Sequence, residues 1–98
     1  MKRLLPIGTI LMLDLETKEK VMIIGRLVRK SEESKEVWDY CGCRAPYGLE
    51  NNQELKFFNH EDIKRLLFIG YQDEEEIMYS LAVTKQKEIE KQKLEEDK

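Results

Sequence analysis

Two short stretches hold the residue types that could do chemistry. Residues 57–64 read FFNHEDIK and carry the only histidine, His60, between Asn59 and the acids Glu61 and Asp62, while residues 41–43 read CGC. An imidazole beside carboxylates suits acid–base work or metal binding, and two thiols two residues apart could supply half of a zinc site. Neither stretch develops further. His60, Glu61 and Asp62 are consecutive, so on a helix their side chains diverge and cannot converge on one ion. Asn59 is a favoured helix N-cap, and Asp62 lies three residues on, where an acid can return a hydrogen bond to the cap's own N–H. Phe58 before the cap and Ile63 after the turn can pack on one another as a hydrophobic staple. The motif therefore predicts a single helical turn in which Asn59, His60 and Asp62 have structural roles.

A zinc site built on Cys41 and Cys43 would need His60 and a distant carboxylate, because no second Cys or His pair stands at recognisable spacing. A disulfide between strand residues two apart is strained, so the expectation is two reduced, largely buried thiols. No G-x-S-x-G elbow and no phosphate-cradling glycine loop occurs, and a Cys–His dyad would rest on the one histidine already assigned to a turn. No catalytic residue, no metal and no cofactor is expected.

The elements that position these stretches are legible from turn chemistry and residue type. Short segments rich in β-branched and aromatic residues alternate with turn-forming ones over the first two thirds of the chain, which predicts about five strands. They are Gly8 to Leu13, Val21 to Lys30, Val37 to Arg44, Glu54 to Phe58 and Arg65 to Tyr71. In the second, Val21, Ile23 and Leu27 would face one way and Met22, Ile24, Arg26 and Val28 the other, with Gly25 where a bulge is tolerated. From Asp73 the chain contains no Gly or Pro and is built of Glu, Lys, Gln and Leu, which predicts a helix. Ile77, Met78, Leu81, Ala82 and Val83 give its first half an apolar stripe that can dock. Only Ile89 and Leu94 continue that stripe, so the last part is expected to be charged and solvated, and too few heptads remain for a coiled coil.

Size and charge exclude several classes of function. A chain of 98 residues has room for one domain with one modest core. Residues 1–70 hold twelve Lys and Arg against eleven Asp and Glu, while residues 71–98 hold five against nine. A near-neutral body with an acidic extension offers little to a phosphate backbone, so nucleic acid is a minority reading. The longest apolar run, Ile7 to Leu13, falls far short of the roughly 20 residues that cross a bilayer. The opening MKRLLPIGTILML has a basic end and an apolar stretch but no small-residue cleavage pattern, so a cytoplasmic location is expected.

What remains is aromatic. If Cys41 and Cys43 point inward, strand parity turns Trp38, Tyr40 and Arg44 outward, residue types that dominate interface energetics. With Tyr47 and Tyr71 they make a candidate partner-binding set. The competing expectation is that Trp38 and Tyr40 are covered by the C-terminal helix, whose Ile77, Met78 and Leu81 need a surface to lie on.

Several motifs also resemble a known family. Leu5-Pro6-Ile7-Gly8-Thr9, then Met22-Ile23-Ile24-Gly25-Arg26, then Asp39-Tyr40 with a Tyr47-Gly48 loop, and finally Phe57 to Ile63 leading to Gly70-Tyr71, are similar to the bacterial domain of unknown function 4176 family. The resemblance covers roughly residues 4 to 83. It implies a small protein of Gram-positive bacteria, often encoded in type VII secretion loci beside LXG toxins, with an accessory, adaptor or chaperone-like role and a helical toxin domain or secretion factor as partner. It brings no catalytic residues. An immunity protein that neutralises a neighbouring toxin is the alternative. The fold expected is α+β: a small SH3-like barrel of about five strands over residues 1–71, one helical turn before the last strand, and a helix over residues 72–98.

Overall fold

The computed structural model describes residues 3–50 and 55–96, with side chains as far as Lys93. Five strands, β1 (Ile10–Met12), β2 (Lys20–Val28), β3 (Trp38–Ala45), β4 (Lys56–Phe58) and β5 (Arg65–Phe68), form one antiparallel sheet in the order β4-β3-β2-β1-β5. A 3-10 turn, His60–Asp62, joins β4 to β5, and helix α1 spans Glu74–Glu96. The α+β composition, the strand order along the chain and the helical turn all follow the sequence expectation. Closure does not. β4 and β5 are the two edges and do not pair with each other, so the sheet is open where an SH3-like barrel would be sealed. Strands of three and four residues at both edges give too few ladder bonds to close it, and the turn between them leads the chain from one edge to the other.

Register explains which side chains are buried. β2 pairs with β3 from Lys20↔Ala45 to Val28↔Trp38, with an irregularity between Ile23 and Gly25. That bulge admits one extra residue and reverses the alternation beyond it. Val21 and Ile23 stay on the core side as expected, but Arg26, paired with Tyr40, joins them there instead of Leu27. Leu27 itself takes a positive φ of 50°. Gly25 is required at this point because an added Cβ would stand 2.7 Å from the Cys41 sulfur.

The core cluster is Leu4, Leu11, Val21, Ile23, Tyr40 and Phe58, with Leu5, Leu13, Ile63 and Val83 packed against it. Phe58 and Ile63, the two arms of the expected staple, both belong to it. Burying a large apolar side chain contributes about 1.5–3 kcal/mol, so six such residues carry most of what a sheet this small can gain. The N-terminal segment is stitched over this core: Gly8 N–H donates to Ile23 O at 2.9 Å, and Leu4 N–H donates to Thr84 Oγ1 at 3.0 Å.

Helix α1 docks in an unexpected way. Among its described side chains Ser80, Thr84 and Lys87, spaced by four and three, are the buried ones, whereas Ile77, Met78 and Leu81 are exposed. The polar stripe faces the body because each member has a partner or a local acceptor: Thr84 Oγ1 donates to Ser80 O at 2.7 Å and Lys87 Nζ donates to Asp39 Oδ2 at 2.9 Å. Contact also extends past the helix midpoint, since Arg29 pairs with Glu90 at 3.3 Å.

Candidate functional site

The histidine sits in the bend between β4 and β5, as its sequence neighbours predict. Asn59 N–H donates to Asp62 Oδ2 at 2.8 Å, which is the acid's half of the capping box. The Asn59 side-chain oxygen is engaged across the sheet, accepting from Asp39 N–H at 3.1 Å. Asp39 Oδ2 in turn accepts from His60 N–H at 2.8 Å and from the Lys87 ammonium. On the other side, the Tyr40 hydroxyl lies 2.8 Å from His60 Nδ1 and accepts from Leu5 N–H at 2.9 Å. A network of β3, the turn, the N-terminal segment and α1 thus meets around His60. Asp39 Oδ2, the Asn59 side-chain oxygen and the Tyr40 hydroxyl each tie two elements together, while Asp39 Oδ1 is buried without a hydrogen-bond partner among the described residues.

Its electrostatics are those of a brace. Burial pushes the Tyr40 phenol up to about 12, against the opposing pull of the Leu5 N–H, so the hydroxyl stays protonated and can hold both hydrogen bonds. Asp39 and Lys87 form an ion pair whose side chains are 1% and 10% exposed. Such a pair adds little relative to an apolar replacement, but losing one partner leaves an uncompensated buried charge. Arg26 repeats the pattern on β2: it is ion-paired with Glu76, donates to Leu5 O and lies 5.0 Å from the Tyr79 ring. Three elements are clamped by two ion pairs.

The cysteines lie apart from this network. Cys41 pairs with Gly25 and Phe57, and Cys43 with Met22, so both project from the face opposite Tyr40. They are free and buried, and burial raises the Cys41 thiol above its usual value, with Cys43 adding to the rise. That places them among inert thiols. Among the described residues no three His, Cys, Asp or Glu side chains cluster as a metal would require. The groove that His60 lines with Leu5, Ile63, Lys64, Arg65 and Leu66 is open and about 370 Å³.

The proposed partner-binding set does not form one surface. Tyr40 is fully buried, because β3 presents Tyr40 and not the cysteines to the core; the parity expected from Cys41 and Cys43 is inverted. Both faces of β3 are covered, so cysteine burial carried no information about which face was inside. Nor is Tyr40 covered by Ile77, Met78 and Leu81. Its hydroxyl is held by Leu5 and His60. Trp38 is half-buried with the Lys30 ammonium 5.0 Å from its ring. Arg44, at the other end of β3, pairs with Glu50 at 3.0 Å and stacks 5.0 Å from Tyr47, which is exposed. Tyr71 is 77% exposed and lies beyond β5, at the far edge of the sheet.

Two features escaped the sequence reading. One is the Asp39–Lys87 tie; its signal was an acid within an otherwise apolar and aromatic strand and a Ser80, Thr84, Lys87 stripe at helical spacing. The other is the run Leu66, Leu67, Phe68 and Ile69, which reads as core by residue type but is exposed throughout.

Residues 4–79 match the family model described as Domain of unknown function (DUF4176). The chain belongs to this family. The match covers the whole sheet, the turn around His60 and the first turns of α1, so the remainder of the helix, with Thr84 and Lys87, lies beyond it. No curated protein and no solved structure matches the chain. Among the described residues no helix is long and apolar enough to cross a membrane.

Proposed function

We propose that this chain is a non-enzymatic protein-binding module, an adaptor or chaperone-like accessory whose partner is a helical domain. The observation that carries this reading is the orientation of α1. Its polar stripe is fixed to the body by Thr84, Lys87, Glu76 and Glu90, and this holds Met78 and Leu81, 70% and 53% exposed, with Ile77 beside them, outward on one rigid flank. A helix flank with apolar residues at i, i+1 and i+4 packs against another helix by ridges into grooves. The setting, a cytoplasmic factor associated with type VII secretion toxin loci of Gram-positive bacteria, rests on the family resemblance. The open, mainly polar grooves beside Arg29 and Glu90 and beside Thr17 and Tyr47 favour a macromolecular partner over a small substrate.

The test is co-expression with the helical domain of a toxin encoded beside it, followed by purification at moderate salt. Stoichiometric recovery that is lost in Met78→Glu/Leu81→Glu supports the proposal. Recovery unchanged by that double variant would remove the helix flank from it, and no recovery with any neighbouring product would remove the function.

A further inference from the structure

We propose that Cys41, Cys43 and Met22 form a binding site for a soft monovalent metal ion of the copper(I) class. The register of the sheet brings the three sulfurs to one place. Cys41 and Cys43 stand two apart on β3 and share a face, and Met22 of β2 is the partner of Cys43, so its side chain lies beside that cysteine on the same face. Directly opposed residues hold their Cβ atoms about 4.5–5.5 Å apart, and the diagonal from Met22 to Cys41 is within reach of a side chain as long as methionine. Across from Cys41 stands Gly25, and the Cys41 sulfur lies 2.7 Å from where a Cβ at that position would be. The glycine thus leaves the sulfur room over β2.

Spacing and donor type identify the ion. A disulfide needs its sulfurs about 2.05 Å apart, which strand positions two residues apart reach only with strain. A bridging ion at roughly 2.3 Å from each thiolate lets the sulfurs stay about 4 Å apart. Zinc asks for a tetrahedral set, and among the described residues no third His, Cys, Asp or Glu stands with the cysteines. Two thiolates and a thioether are soft donors in low number, which select copper(I). The thiols already sense one another, since Cys43 adds to the rise of the Cys41 thiol, and a cation between them relieves the repulsion of two thiolates. Burial that makes Cys41 a poor nucleophile makes binding depend on pH. Two S–H groups release their protons to solvent, two metal–sulfur bonds form, no electron moves, and affinity rises with pH. Met22 and Phe57, the cross-strand neighbours of Cys43 and Cys41, are half-buried, so the ion reaches the sulfurs without opening the core on the Tyr40 face.

This site is distinct from the flank of α1, so it stands or falls apart from the proposed function. The reduced full chain, titrated without oxygen with copper(I) held by a competing chelator, should take up one ion per chain. A thiolate-to-copper band should grow in the near ultraviolet while the far-ultraviolet circular dichroism stays unchanged. Cys41→Ser and Cys43→Ser should each abolish the band. Met22→Leu, which keeps the volume and removes only the thioether, should weaken binding tenfold or more, whereas Met78→Leu on the exposed flank of α1 should leave it alone. Three results overturn the inference: an affinity no better than that of dithiothreitol, which offers two thiols without a fold; binding indifferent to Met22→Leu; and uptake that occurs only as the circular dichroism is lost.

Discussion

The two edges of this sheet invert the usual relation between residue type and burial. At the β3–β4 edge, polar groups are inside: Asp39 and Tyr40 are both fully buried, with Lys87 reaching in from α1 and His60 closing the end. At the β5 edge, apolar groups are outside, Phe68 being 59% exposed and its neighbours little less. The difference teaches that polar character is not by itself a sign of function, nor apolar character a sign of core. A buried polar group whose bonds go to main-chain amides and to an opposite charge is a brace. An apolar group with nothing against it is a surface awaiting something.

The comparison breaks most decisively at Lys87. Lys87→Met strands the Asp39 carboxylate in a low-dielectric site, and an uncompensated buried charge of this kind costs about 3–5 kcal/mol, read as a lower urea midpoint. Replacing both partners, as Asp39→Asn with Lys87→Met, should recover much of that loss; a double variant as unstable as the single one would mean that Lys87 acts through something other than this pair. Tyr40→Phe comes next, at about 1–3 kcal/mol, because it removes the acceptor of the Leu5 N–H and the partner of His60 Nδ1.

Tyr40 also sharpens the contrast through pH. Its phenol is raised from 10.0 to about 12 in the folded chain, so between those values the unfolded chain has lost a proton that the folded chain still holds. Stability is therefore complete below pH 10 and falls as pH rises toward 12. A tyrosinate absorbance step near pH 12 is expected, and it should vanish in Tyr40→Phe.

At the opposite edge, Phe68→Lys should change the stability of the isolated chain by no more than about 0.5 kcal/mol, as for an ordinary surface substitution. A loss of the size seen in core substitutions would mean that β5 is covered within a single copy. Tyr47→Ala belongs in the same range, because it removes only an exposed contact with Arg44 worth about 0.5 kcal/mol. Differential scanning calorimetry should place Lys87→Met lowest and Tyr40→Phe next, with Phe68→Lys and Tyr47→Ala both close to the wild type.

Much of this was legible in the sequence, and the reason is locality. The capping relation of Asn59 and Asp62, the staple of Phe58 and Ile63 and the tolerance for a bulge at Gly25 are each set within a few residues, where backbone geometry and hydrogen-bonding reach leave few choices. Tertiary structure decided the rest. One bulge reversed the alternation of β2, the coverage of both faces of β3 decided that Tyr40 and not the cysteines faced the core, and an ion pair between residues 48 apart chose which side of α1 met the body. Parity counts cannot see these outcomes, because a strand pattern is symmetric under a one-residue shift, and only the packing of distant segments breaks that symmetry.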